Sequence, residues 1–98
     1  MEPLTLAQAA EDAGGTLQRG RGETLVRDIV SDSRGHCRDA LFVPFAGEKF
    51  DGHKFIADAA KKGAAATLAA RDLGRTRLPR DFAVIRVPDT LRAYQALG

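Results

Sequence analysis

A chain of 98 residues, 44% hydrophobic and 29% charged, has the composition of one globular domain rather than of a disordered or fibrous segment. With 15 basic and 13 acidic residues the net charge is +2, too balanced for the footprint of a nucleic-acid binder. The single cysteine, Cys37, excludes an internal disulfide framework, no apolar run approaches the ~20 residues of a membrane helix, and Met1-Glu2-Pro3-Leu4 lacks the features of a secretory signal, so no membrane role and a cytoplasmic location are expected.

Thr5 followed three residues later by Gln8 is a capping-box pattern. Leu6, Ala9, Ala10 and Ala13 then share one face, and Gly14-Gly15 provides a stop, which predicts a short amphipathic helix. Leu17 and the stretch Thr24 to Ser31 carry β-branched residues between the turns at Gly20 and Gly22 and predict strands, the second ending at Asp32-Ser33-Arg34-Gly35. Leu41-Phe42-Val43-Pro44-Phe45 reads as a strand covered on both faces that stops near Phe45, because Pro44 removes a ladder donor and favours an edge or a strand end.

Asp51 is a candidate N-cap for a helix carrying Phe55, Ile56, Ala59, Ala60 and Gly63 at helical spacing, with Lys61-Lys62 in its last turn. Ala64 to Ala70 and Phe82 to Val87 predict two more strands, joined by a polar, basic connection from Arg71 to Asp81. Pro88-Asp89 caps a final helix from Thr90 to Leu97, with Leu91, Tyr94 and Leu97 expected to face inward. Alternating strands and helices imply one α/β domain over residues 1–98, with a small mixed or mainly parallel sheet of about four to five strands flanked by helices.

Ligands of open α/β sheets bind where strands end, which singles out two loops. The first, Ser31-Asp32-Ser33-Arg34, offers hydroxyls, a carboxylate and a guanidinium, enough to bond a uracil edge and a phosphate. The second, Gly47-Glu48-Lys49-Phe50-Asp51-Gly52-His53, combines glycines, a cation, an aromatic ring and a helix start, all suited to a nucleotide. On spacing alone the plainer readings are the better ones. The first loop is then a polar turn in which Asp32 or Ser33 bonds its own backbone and Arg34 pairs with a neighbouring acid; the second is an ordinary strand-to-helix turn. His36 and Cys37 have no third orienting group and make no catalytic pair, and with His53 they fall short of a zinc ligand set. Neither a catalytic nor a metal-binding residue is assigned. The arginines at 71, 75, 77 and 80 lack interleaved aromatics and read as a solvated loop, although a stand-alone interaction domain meeting an acidic partner through them is the competing reading.

Taken together, Ser31-Asp32-Ser33-Arg34, Leu41-Phe42-Val43, the run from Gly47 to Phe55, Gly63-Ala64-Ala65-Ala66 and Pro88-Asp89-Thr90-Leu91 resemble, in order and spacing, the N-terminal domain of the Mur ligases. Within that family the form Gly-Glu-Lys-Phe-Asp-Gly-His looks most like the members that add D-alanyl-D-alanine to UDP-N-acetylmuramoyl-tripeptide, with those that add the third amino acid as the alternative. The resemblance implies a domain that holds the UDP portion of a UDP-N-acetylmuramoyl-peptide, with contacts from Ser31, Ser33 and Arg34 and from Glu48, Lys49 and Phe50. It also implies a central ATPase domain using ATP and magnesium, and a third domain, both outside this chain. No Gly-x-x-Gly-Lys-Ser/Thr loop occurs here, so no cofactor and no ATP turnover are expected of these 98 residues alone. Where the family often has Pro-Gly-Asp before the Leu-Phe-Val strand, this chain has Arg38-Asp39-Ala40; Asp enters the left-handed conformation more readily than most residues.

Overall fold

The computed structural model describes residues 2–46, 51–74 and 76–97. In chain order the elements are β1 (Leu4–Thr5), α1 (Leu6–Ala13), β2 (Thr16–Arg19), β3 (Leu25–Val26), β4 (Asp28–Val30), β5 (Ala40–Phe42), a 3-10 turn (Gly52–Phe55), α2 (Ile56–Lys61), β6 (Ala66–Ala69), β7 (Ala83–Arg86) and α3 (Thr90–Leu97). The main sheet has the order β2-β7-β6-β5-β4, parallel throughout except for β2 against β7, and β1 pairs with β3 in a separate antiparallel ribbon. The expected mixed α/β sheet with flanking helices is therefore present.

Strand alternation sends neighbouring side chains into two cores. Leu41 and Val43, Ala66 and Leu68, and Ala83, Ile85 and Val87 pack with Leu6, Ala9, Ala10 and Ala13 of α1 and Ala93 of α3. Phe42 and Phe82 point the other way, against Ile56, Ala59 and Ala60 of α2 and against Cys37 and Ala64. The result is three layers, with the parallel strands β5 and β6 covered on both faces; the one polar side chain in them, Thr67, bonds backbone carbonyls of Phe42 and Leu68.

Local signals act where they were expected, with informative departures. The Thr5 side chain accepts from the Gln8 amide at 3.1 Å, and Gly14 closes α1 at φ 70°. The capping box is only half made, because the Gln8 side chain donates to Asp12 at 2.7 Å instead. The expected strand Thr24 to Ser31 is two strands. β3 serves the ribbon with β1, the Arg27 amide bonds the Asp39 carbonyl at 2.8 Å, and β4 then joins the main sheet, so one segment changes partners at Arg27. β5 ends at Phe42, earlier than Phe45, and Pro44 lies beyond the ladder of an interior strand.

In α3 the inward face is corrected. Thr90 and Ala93 are buried and Leu97 is partly buried, whereas Leu91 and Tyr94 are 52% and 41% exposed. The Asp89 carboxylate caps the amides of Leu91 and Arg92, and the small residues of α1 admit only a small residue, Ala93, at the crossing. Tyr94 instead packs edge-to-face on Phe45, the ring centroids 5.4 Å apart.

Candidate functional site

β4 and β5 lie side by side and parallel, so the loops that leave their C-terminal ends emerge on the same edge of the sheet. In the first, Asp32 Oδ1 accepts from the Arg34 amide at 2.8 Å, closing an Asx turn, while its carboxylate receives Arg34 Nε at 3.1 Å and Nη2 at 2.9 Å. The plainer reading of Asp32 and Arg34 is thus realised. The hydrogen bonds from the Arg34 side chain and backbone hold the exposed Asp32 carboxyl down at about 2. Ser33 is 4% exposed, and its carbonyl accepts from Lys62 Nζ, which reaches over from the end of α2. Cys37 lies behind this turn with its sulfur 3.6 Å from the Gly35 carbonyl oxygen, and burial pushes its thiol up, so it is a packing residue rather than a nucleophile. His36 beside it is exposed. Among the described residues no group of three or more His, Cys, Asp or Glu side chains is placed to hold a metal ion.

At Asp39, φ is 57°, the only positive value outside glycine among the described residues. It lets the chain turn from Cys37 into β5 while the Asp39 amide bonds the Gly63 carbonyl at 2.9 Å.

The second loop is closed at its base by a bridge between Ala46 and Asp51 and by the Gly52 amide donating to the Phe45 carbonyl at 2.7 Å. Glu48, Lys49 and Phe50, the expected ligand contacts of this loop, lie outside the described residues. Asp51 is the N-cap that its position suggested. Its Oδ1 accepts from the His53 amide at 2.9 Å and from His53 Nδ1 at 2.7 Å, and its Oδ2 pairs with Arg71 Nη1. Those interactions, the His53 amide first, hold the Asp51 carboxyl below its ordinary 3.8. A depressed carboxyl contributes stability that is present above 3.8 and is lost as pH falls through the lowered folded value. The urea midpoint should accordingly drop between pH 5 and pH 3 by less in Asp51→Asn, which keeps an acceptor for the His53 amide but carries no charge; equal drops would show that this carboxylate is not linked to folding.

Between the two loops lies a cleft of about 430 Å³, lined by Ser31, Asp32, Ser33 and Arg34 on one side and Gly52 and Phe55 on the other, with Phe42 at its floor. The first loop's expected site residues are all in its wall. Sequence reasoning placed Phe42 and Phe55 in the core and missed that they also face the cleft. Phe55 comes one 3-10 turn after Gly52, and that spacing was the available signal. A Cβ on Gly52 would stand 2.8 Å from the Phe45 carbonyl oxygen, so this wall requires glycine.

The family model described as Mur ligase family, catalytic domain, matches residues 26–95, a span that includes both loops and the whole cleft. The chain belongs to the Mur ligase family. Over 95 residues this Mur ligase chain is 39% identical to the UDP-N-acetylmuramoyl-tripeptide--D-alanyl-D-alanine ligase of Bacillus subtilis, which covers 96% of the chain and 20% of that protein. It is 37% identical over 80 residues to the UDP-N-acetylmuramoyl-L-alanyl-D-glutamate--2,6-diaminopimelate ligase of Clostridium perfringens, covering 82% of the chain and 16% of that protein. A crystal structure of MurF from Acinetobacter baumannii superimposes with a TM-score of 0.83 at 26% identity, covering 99% of the chain and 20% of that structure. The chain thus spans about a fifth of the length of the relatives it matches.

Proposed function

We propose that this chain is the substrate-anchoring domain of an ATP-dependent ligase that adds D-alanyl-D-alanine to UDP-N-acetylmuramoyl-tripeptide in peptidoglycan synthesis, and that its cleft holds the UDP portion. The observation that carries the reading is the cleft itself. Its volume lies within the roughly 300–1,000 Å³ of small-molecule sites, it sits at the C-terminal ends of parallel strands, and it combines an aromatic floor and wall with hydroxyls and a guanidinium. A guanidinium carries five N–H donors, and Asp32 engages Nε and Nη2, which leaves Arg34 capacity for a phosphate oxygen while fixing its orientation. Ser31 and Ser33 supply hydrogen bonds to the uracil edge, and Glu48, Lys49 and Phe50 complete the site from the second loop.

The match to a D-alanyl-D-alanine ligase spans 96% of the chain, against 82% for the diaminopimelate ligase, which supports the first specificity over the second. The competing interaction-domain reading relied on the basic connection after β6. Of its arginines, Arg71 is committed to Asp51, and the backbone of the segment is held by Asp72 capping the Gly74 amide and by Arg19 binding the Leu78 and Pro79 carbonyls. No helix among the described residues is long and apolar enough to cross a membrane. ATP, magnesium and the transfer chemistry belong to the central ATPase domain of the full-length protein, with which this domain would work.

The test is a heteronuclear NMR titration of the chain with UDP-N-acetylmuramoyl-tripeptide. Saturable shifts should appear at the amides of Ser31 to Arg34 and Gly47 to His53. Shifts elsewhere on the surface, or none at millimolar ligand, would count against the site.

A further inference from the structure

His53 is almost completely enclosed, its side chain 3% exposed, and both ring nitrogens are engaged. Nε2 lies 3.0 Å from the Ala70 amide nitrogen. A backbone N–H only donates, so Nε2 presents its lone pair, and the ring proton sits on Nδ1, which donates to Asp51 Oδ1 at 2.7 Å. Arg71, the residue after Ala70, takes the second oxygen of the same carboxylate. The side chains of Asp51, His53 and Arg71 and the backbone at Ala70 therefore form a closed ring of bonds. It ties the base of the second loop, at the Ala46–Asp51 bridge, to the end of β6.

None of these four residues lines the cleft, yet Gly52, between two of them, does. We infer that His53, in its neutral Nδ1–H form, is a positioning residue for nucleotide binding: it fixes Asp51 and Gly52 so that the Gly52 wall of the cleft meets the ligand in one orientation. This rests on reading the cleft as the UDP site. Imidazole suits the position because a single rigid ring donates to a carboxylate on one side and accepts from an amide on the other. A glutamine reaches Ala70 with an acceptor but leaves Asp51 without its donor, and an asparagine does the reverse.

Two measurements on the 98-residue chain test the inference, with UDP as the probe. A long-range ¹H–¹⁵N spectrum should show His53 with a protonated Nδ1 and a bare Nε2, both with and without UDP; a protonated Nε2 overturns the assignment. Titrations should show His53→Gln and His53→Asn binding UDP about tenfold more weakly than wild type, the effect of one lost buried hydrogen bond. A role in stability alone would lower the urea midpoint and leave the affinity of the folded fraction unchanged, and that result overturns the proposal. Should neither variant fold, Arg71→Ala carries the test from the exposed end of the ring: about threefold weaker binding supports the proposal and wild-type affinity overturns it. Wild-type protein that does not bind UDP overturns the nucleotide reading and this inference with it, whereas equal binding by wild type and variants overturns the inference alone.

Discussion

Gly52→Ala is expected to weaken UDP binding by at least about tenfold, or ~1.4 kcal/mol, and to destabilise the fold by roughly 1–3 kcal/mol. Gly35→Ala, at the end of the facing loop, should leave both properties close to wild type. The two glycines differ in what an added methyl group meets. At Gly52 it would stand 2.8 Å from the Phe45 carbonyl oxygen, 2.9 Å from the Phe45 amide nitrogen and 3.0 Å from the Pro44 Cα. All three are backbone atoms, which no side-chain rotation moves away. Nothing lies within 4 Å of the corresponding point at Gly35. Neither glycine has a positive φ, so the contrast is one of space and not of backbone strain. The clash falls on the strand-to-turn junction where the Gly52 amide bonds Phe45, so relieving it displaces the cleft wall. Isothermal titration with UDP and urea melts of both variants check the expectation; normal binding by Gly52→Ala would place the ligand away from this wall.

Much of the fold was legible because its signals are local. Thr5, Asp51 and Asp89 each cap a helix from within a few residues, and Gly14 ends one by adopting a conformation that costs other residues energy. The apolar runs at residues 41–43 and 66–69 announce strands buried on both faces for the same reason: every side chain along them must be apolar or satisfied. Where expectation and structure part, a distant partner decides. β3 exists only because β1, about twenty positions earlier in the chain, offers it an edge, and periodicity within Thr24 to Ser31 carries no trace of that change of partner. Leu91 and Tyr94 were the obvious inward residues of α3, but the small residues on α1 bring the helices close and select Ala93.

The candidate site divides in the same way. Asp32, Ser33 and Arg34 form a turn whose internal bonds span two residues, and the alternatives for it could be written from composition. The bonds that hold the turn and its neighbour in place could not. Lys62 reaches Ser33 across 29 positions, and His53 reaches Ala70 across 17. Asp39 stands between these cases: a residue type that tolerates the left-handed region was visible, and the Gly63 carbonyl that rewards the turn was not.

Phe42→Ala should cost about 3–5 kcal/mol, a large share of the roughly 5–15 kcal/mol typical of a domain, and lower the melting temperature by about 12 °C or more. Phe42 is 1% exposed and stands at the centre of the second core, against Cys37, Ile56, Ala59, Ala60 and Phe82. Its neighbours on α2 are largely alanines, which have no longer rotamer with which to fill a vacated ring. The hydrogen bond from the Thr67 side-chain Oγ1 to the Phe42 backbone carbonyl, 3.1 Å, survives the substitution, so the loss measures the Phe42 side chain. The same ring forms the floor of the cleft, and Phe42→Leu separates its two roles. Leucine keeps most of the buried volume and costs about 1–2 kcal/mol, but it removes the aromatic ring from the cleft lining. If that variant folds and binds UDP several-fold more weakly, the aromatic floor contributes directly to recognition. If affinity is unchanged while the melting temperature falls, Phe42 acts only by holding β5 against α2, and recognition rests on the loops that the strand supports.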